Sequence, residues 1–172
     1  EWILAEDGRT LYFPNVQPDK SYEVSLKSGL GPSPQRWTLK TRPLEAGASF
    51  TASGMVLPLR EELRLPISAV NVDEVNIDFF RIDAEYLPRF LAEYRPGAGM
   101  GNWDLEQVTQ RAKRVFSGRY ALALDANRRE TRLINVKEPQ LAEAGVYFAV
   151  MSPLGNYDWR KETTYFAVSD MG

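Results

Sequence analysis

The chain has 172 residues, 44% of them hydrophobic and 26% charged, with a formal net charge of −2; this is the composition of one globular domain or two small ones. It contains neither His nor Cys, which excludes Ser-His-Asp and Cys-His triads, Cys/His zinc sites, thiol redox chemistry and thioester formation within these residues. The mild negative charge leaves no electrostatic footprint for nucleic acid or a basic membrane face, and no apolar run approaches the roughly 20 residues of a membrane helix.

The chain opens directly in a strand-like pattern. Trp2 to Leu4 and Thr10 to Phe13 flank Asp7-Gly8, a good hairpin turn. Tyr22, Val24 and Leu26 alternate with Glu23, Ser25 and Lys27, the period of a strand with one wet face. Trp37, Leu39 and Thr41 repeat that pattern after Pro32-Ser33-Pro34 and the Gly-rich Gly29-Leu30-Gly31, which lack the Lys-Ser/Thr of a phosphate cradle and read as a turn. Residues 1–41 therefore read as a small four-strand β meander. Pro43, Gly47 and small residues around them break the pattern, so we place a domain boundary here. The meander takes 1–43 and the second domain 44–172. Both ends look cut from a longer protein.

The second region begins with two short strand candidates, 49–52 and 55–57, around Gly54. A third spans 63–72, where Pro66 argues for an edge or a strand start. Residues 75–82 form the clearest strand: Val75, Ile77 and Phe79 share a face, while Phe80 and Ile82 change sides, which suggests a bulge. The acids Asp73, Glu74, Asp78, Asp83 and Glu85 have no EF-hand spacing and read as a solvated face rather than a metal site.

Two helices follow. Leu87, Phe90, Leu91 and Tyr94 give helical spacing over 83–94, with Asp83 as N-cap and Pro88 in the first turn. Leu105, Val108, Ala112 and Val115 give a second helix over 102–116, with Asp104 near its start and Lys113 and Arg114 near its end, matching the dipole. Both stripes suit helices that cover a sheet edge or an open end of a sandwich. Gly97-Ala98-Gly99-Met100-Gly101 between them reads as a turn. Tyr120, Leu122 and Leu124 then alternate, Asp125-Ala126-Asn127 turns, and Thr131, Leu133 and Asn135 form a return strand. Residues 146–151 are almost wholly apolar, as in a central strand covered on both faces. Residues 153–159 form a polar-aromatic loop and 164–168 the last strand. Strands at this spacing point to a mainly β fold, an antiparallel β-sandwich.

The run Gly145-Val146-Tyr147-Phe148-Ala149-Val150-Met151, followed by Thr164-Tyr165-Phe166-Ala167-Val168-Ser169-Asp170-Met171-Gly172, resembles a strand pair of bacterial alpha-2-macroglobulins. Leu57-Pro58 with Leu65-Pro66, Val70-Asn71-Val72-Asp73-Glu74-Val75 leading to Phe79-Phe80-Arg81-Ile82, and the Phe116-Ser117-Gly118-Arg119-Tyr120 turn are similar to the same domain. The resemblance covers roughly 48–172 and implies a macroglobulin-like sandwich, with 1–43 the tail of a preceding macroglobulin-like domain. It further implies a structural, non-catalytic fragment of a broad-spectrum protease inhibitor (a protease trap with endopeptidase inhibitor activity in bacterial defence). Such a protein would be periplasmic and held at the inner membrane by a lipidated N-terminus outside these residues. The partners implied are neighbouring macroglobulin-like domains, target proteases and a peptidoglycan synthase, with no nucleic acid, no cofactor, no metal and no catalytic residue in this fragment.

Two local features keep alternatives open. Trp103, Tyr157 and Trp159 lie in or near loops and form the candidate interaction surface, an aromatic platform for sugar or a partner protein; packing that closes the end of the sandwich is the blander reading. A carbohydrate- or cell-wall-binding β-sandwich is thus the alternative function. Arg111, Lys113, Arg114 and Arg119, with Arg128 and Arg129, read as helix solvation and inter-domain contact rather than a nucleic-acid patch.

Overall fold

A computed structural model describes residues 2–27, 33, 35–58, 63–95, 100–136, 139–141, 143–153 and 161–169. It divides into two compact units, Glu1–Glu45 and Ala46–Gly172.

The first unit holds β1 (Ile3–Leu4) paired with β2 (Leu11–Tyr12), and β3 (Ser21–Leu26) paired with β4 (Gln35–Lys40), each antiparallel. Four strands are present as expected, but they pair two by two rather than as one continuous sheet. The first turn closes as Asp7-Gly8 predicts. Gly8 takes φ +64 and donates to the Ala5 carbonyl at 3.0 Å. The Asp7 carboxylate accepts the Arg9 and Thr10 N–H groups at 2.8 and 3.0 Å, which satisfies the turn from within. Thr41 ties the second hairpin's base, its hydroxyl accepting the Lys20 N–H at 2.9 Å and donating to the Gln17 carbonyl at 2.7 Å. The tripeptide 32–34 lies outside the described residues except for Ser33, as do 29–31.

The second unit is a two-sheet sandwich. One sheet has three strands in the order β10 (Glu130–Val136), β7 (Leu63–Val70), β5 (Gly47–Phe50). The other has five: β6 (Met55–Pro58), β12 (Glu162–Ser169), β11 (Gly145–Pro153), β8 (Glu74–Ile82), β9 (Ala112–Ala121). Among the described residues, all strand pairs of this unit are antiparallel except β6 with β12. Leu65, Ile67 and Ile134 from the small sheet meet Ile77, Tyr147 and Phe166 from the large one in a single core. Phe166 stacks on Tyr147 at 5.5 Å and meets Phe79 edge-on at 6.3 Å. Full burial of each such ring is worth about 1.5–3 kcal/mol. The central position expected for residues 146–151 holds: Tyr147, Ala149 and Met151 face this core, while Phe148 and Val150 face the other side.

That other side is covered by two helices, α1 (Leu87–Glu93) and α2 (Asn102–Thr109). Phe90, Tyr94 and Val108 pack there on Ile82, Phe148 and Val150. The helices therefore cover a sheet face, not an edge or an open end. This also resolves the anomaly in β8. Phe80 and Ile82 keep strict alternation with Val75, Ile77 and Phe79, and they are apolar because the outer face is roofed at that end. The expected irregularity does occur between Phe79 and Phe80, but the extra residue, Val115, sits on β9.

Several local expectations are corrected. Asp83 is not an N-cap: α1 begins after Tyr86, without a side-chain cap, and Asp83 instead accepts the Tyr86 and Leu87 N–H groups through its carbonyl. Leu91 is exposed rather than part of the buried stripe. The second helix ends at Thr109, not 116, and residues 112–121 form β9. Phe116, Gly118 and Tyr120 alternate inward with Ser117, Arg119 and Ala121 outward, a period-two signal that overrides the helical coincidence of Ala112 and Val115. Lys113 and Arg114 thus end no helix, and the expected turn at 116–120 is strand. β9 and β10 do not form a hairpin; β9 pairs with β8 and β10 with β7. The chain crosses between sheets through Ala123 and Asn127, both at positive φ, with the Asn127 N–H held by Asn71 Oδ1 at 2.6 Å. β7 ends at Val70 because Asn71 turns left-handed. Pro66 lies in the middle strand of its sheet rather than at an edge. Its missing N–H breaks no pair of the β5–β7 ladder, which ends at Phe50, and its carbonyl accepts the Thr51 N–H at 3.1 Å and the Thr51 hydroxyl at 3.2 Å.

Candidate interaction surface

The two helices leave a groove of about 380 Å³ between them on the roof of the large sheet, within the size range of ligand pockets. Sequence dictates its floor. Tyr86, Phe90 and Tyr94 recur at helical spacing along α1 and its ends, so their rings line one side. Phe90 and Tyr94 stack at 5.1 Å, and each meets Phe148 edge-on, at 5.5 and 5.6 Å. Tyr165 from β12 closes the cluster, 5.5 Å from Tyr94. The Tyr94 hydroxyl shares a 3.0 Å hydrogen bond with the Thr163 hydroxyl, and burial pushes the phenol above its ordinary pKa despite that bond.

The rim is charged. The Arg111 guanidinium lies 5.1 Å over the Tyr86 ring, within cation–π range. Arg89 is paired with Glu93 at 2.8 Å, one helical turn on. The Arg95 guanidinium donates to the Ala92 carbonyl at 2.8 Å. Trp103, at the start of α2, stands on this rim with 71% of its surface exposed. Of the three aromatics singled out in the sequence, it alone can be placed; Tyr157 and Trp159, with the loop 153–159 beyond Pro153, lie outside the described residues. Sequence reading missed Tyr86 and Arg111 as rim groups, although Tyr86 and Phe90, four residues apart, were there to signal it.

Chemically, this surface can stack and pair charges. Among the described residues, no three acidic side chains gather where they could hold a metal ion, and no helix is long and apolar enough to cross a membrane. Glu162, on β12, has its carboxyl raised above the ordinary range by burial.

Comparison with known proteins gives a consistent result. The family model for the bacterial alpha-2 macroglobulin MG2 domain matches residues 49–166. An alpha-2-macroglobulin of Xylella fastidiosa (strain 9a5c) is 32% identical over 186 residues, covering 99% of this chain and 11% of that protein. Native alpha-2-macroglobulin from Escherichia coli spanning domains MG0-NIE-MG1 superposes with a TM-score of 0.65 at 30% identity, covering 99% of this chain and 57% of that one. Trypsin-activated alpha-2-macroglobulin from Escherichia coli is 36% identical over 72% of this chain and 9% of its own, with a TM-score of 0.63. The chain thus spans about a tenth of the length of the curated relatives it matches.

Proposed function

The chain belongs to the bacterial alpha-2-macroglobulin family, and from that premise we propose that it is a non-catalytic frame piece of a protease trap. The observation that carries this is the near-complete match of both units, at 30% identity, to a run of consecutive domains in a much longer protein. A relative captured after trypsin activation supports a protease as the target of the whole molecule. In this reading residues 1–43 are the tail of a preceding macroglobulin-like domain, and 44–172 form one complete macroglobulin-like sandwich. The whole protein is periplasmic, lipid-anchored at the inner membrane, and serves bacterial defence beside a peptidoglycan synthase.

The test is to mix proteases with the 172-residue chain and with its intact parent. The chain alone should leave them active, and the parent should shield large substrates from them. A parent that leaves every protease active sinks the proposal. Trp103, exposed on the rim of an aromatic groove, favours a second reading, a carbohydrate- or cell-wall-binding module. Retention on peptidoglycan, lost in Trp103→Ala, would support it; passage through every polysaccharide column would remove it.

A further inference from the structure

We infer that Arg81, Glu143 and Tyr147 form a register lock, a polar clasp that fixes β11 at one position along β8. Strand register is ordinarily set by alternation, because a slip of one residue turns the apolar set toward water. β11 lacks that protection. Tyr147, Ala149 and Met151 face the core between the sheets, while Val146, Phe148 and Val150 face the helices. A one-residue slip exchanges one apolar set for the other and leaves both faces apolar. Side-chain shape alone opposes it, and cores accept much exchange of shape when volume and pattern are kept.

The clasp supplies what alternation does not. Val75, Ile77 and Phe79 point inward along β8, and the next inward position, directly opposite Tyr147, is Arg81. A cation stands there where the pattern calls for an apolar residue. Its guanidinium pairs with the Glu143 carboxylate and donates to the Ala144 carbonyl at 2.9 Å. Gly145 leaves the space for it, since a Cβ there would lie 3.1 Å from the Arg81 Nε. The Arg81 and Glu143 side chains are 39% and 70% exposed, so as a bridge the pair adds little stability. Its value is in where it holds the chain.

Tyr147 turns that pairing into a lock. Its hydroxyl donates to the Glu143 carbonyl at 2.8 Å, while its ring stacks on Phe166. The bond joins β11 to its own lead-in, so strand and lead-in move as one piece. Without it, Glu143 and Ala144 could stay on Arg81 while the strand beyond them slid. With it, a slip of one residue, about 3.3 Å, carries the Ala144 carbonyl off its donor. In one direction the slip also drives Val146 into the place of Gly145, beside the guanidinium. A polar group at one position among apolar neighbours is a well-attested means of fixing register, at some cost in stability.

The test uses the isotope-labelled 172-residue chain. Its amides over residues 146–151 should give one set of signals, with cross-strand contacts from Ala149 to Phe79 and from Met151 to Ile77. Arg81→Met keeps the long stem and removes every donor. It should add a second set for β11, at about 5% or more of the total, with contacts displaced by one or two residues along β8. Tyr147→Phe keeps the stacked ring and should add the same set at lower population, as should Glu143→Ala, which spares the Ala144 bond. Should Arg81→Met fail to fold, these two milder variants carry the same readout. A single set with native contacts in every variant that folds, whatever its melting temperature, overturns the proposal, because the clasp then stabilises without choosing a register. So does a second set that keeps the native pairs, which would report fraying of the lead-in rather than a slip.

Discussion

Residues Glu1–Glu45 and Ala46–Gly172 use the same alternating strand code and reach opposite outcomes. In the first unit most of the large apolar side chains stay in water, and Tyr22, Val24 and Leu26 are only half-buried. Trp2, Leu4, Leu11, Tyr12 and Leu39 are all more than half exposed, and every residue of β4 is exposed. In the second, Phe79, Tyr147, Phe148 and Phe166 have no exposed surface. Alternation makes a hairpin, but a lone two-stranded hairpin has nothing to bury its apolar face against. A second sheet must supply the core. The first unit is held by its turns and polar bonds, such as Asp7 with Arg9 and Thr10, and the second by packed rings.

The sharpest break of this contrast is Phe166→Ala. It should destabilise the sandwich by about 3–5 kcal/mol, read as a large drop in urea midpoint, and leave the hairpin amides of Arg9 and Thr10 unmoved. Next comes Gly118→Ala. The new Cβ would lie 2.6 Å from the Tyr120 hydroxyl and 2.8 Å from the Phe116 ring, an overpacking that should cost about 1–3 kcal/mol in the same unfolding measurement. Tyr94→Phe should cost about 1 kcal/mol by removing the bond to Thr163; no loss would mean that water replaces it.

The two units should also answer pH with opposite signs. The Asp7 carboxyl is held below its ordinary value by the Arg9 N–H first, then by the Thr10 hydroxyl and N–H. Its contribution to the β1–β2 turn is present above the ordinary carboxylate value and fades as pH falls through the lowered one. Burial raises the Glu162 carboxyl, so its effect on the sandwich runs the other way. Stability is greatest below the ordinary value and declines as pH rises through the raised one. Amide exchange across mildly acid pH should separate the two trends, and parallel trends would contradict this account. The smallest effect expected is Leu39→Ala, within about 0.5 kcal/mol for a side chain already in water. A larger loss by thermal melting would show that the first unit has a core after all.

The strands were mostly legible because period two is a local signal. Residues 146–151 read as a doubly covered strand because both sets of alternate residues are apolar, and so they are. The errors fall where long-range partners decide. Ala112 and Val115 continued the helical spacing of Leu105 and Val108 by coincidence, and only pairing with β8 makes them strand. The turn at residues 125–127 looked like a hairpin, because nothing local distinguishes a return strand in one sheet from a crossing into another. Phe80 and Ile82 looked misplaced until α1 and α2 were seen above them. Trp103 was visible as an aromatic in or near a loop, but its exposure and the groove it borders, which joins residues of both helices, could not be read from spacing alone.

The parallel pairing of β6 with β12 has a consequence for how the chain is made. Met55 pairs beside Phe166 and Pro58 beside Ser169, so β6 leaves the ribosome roughly 110 residues before its neighbour exists. Until β12 arrives, Met55 and Leu57 have no sheet to join, and the nascent chain must carry them uncovered. Pairing of β6 therefore waits until β12 has been made.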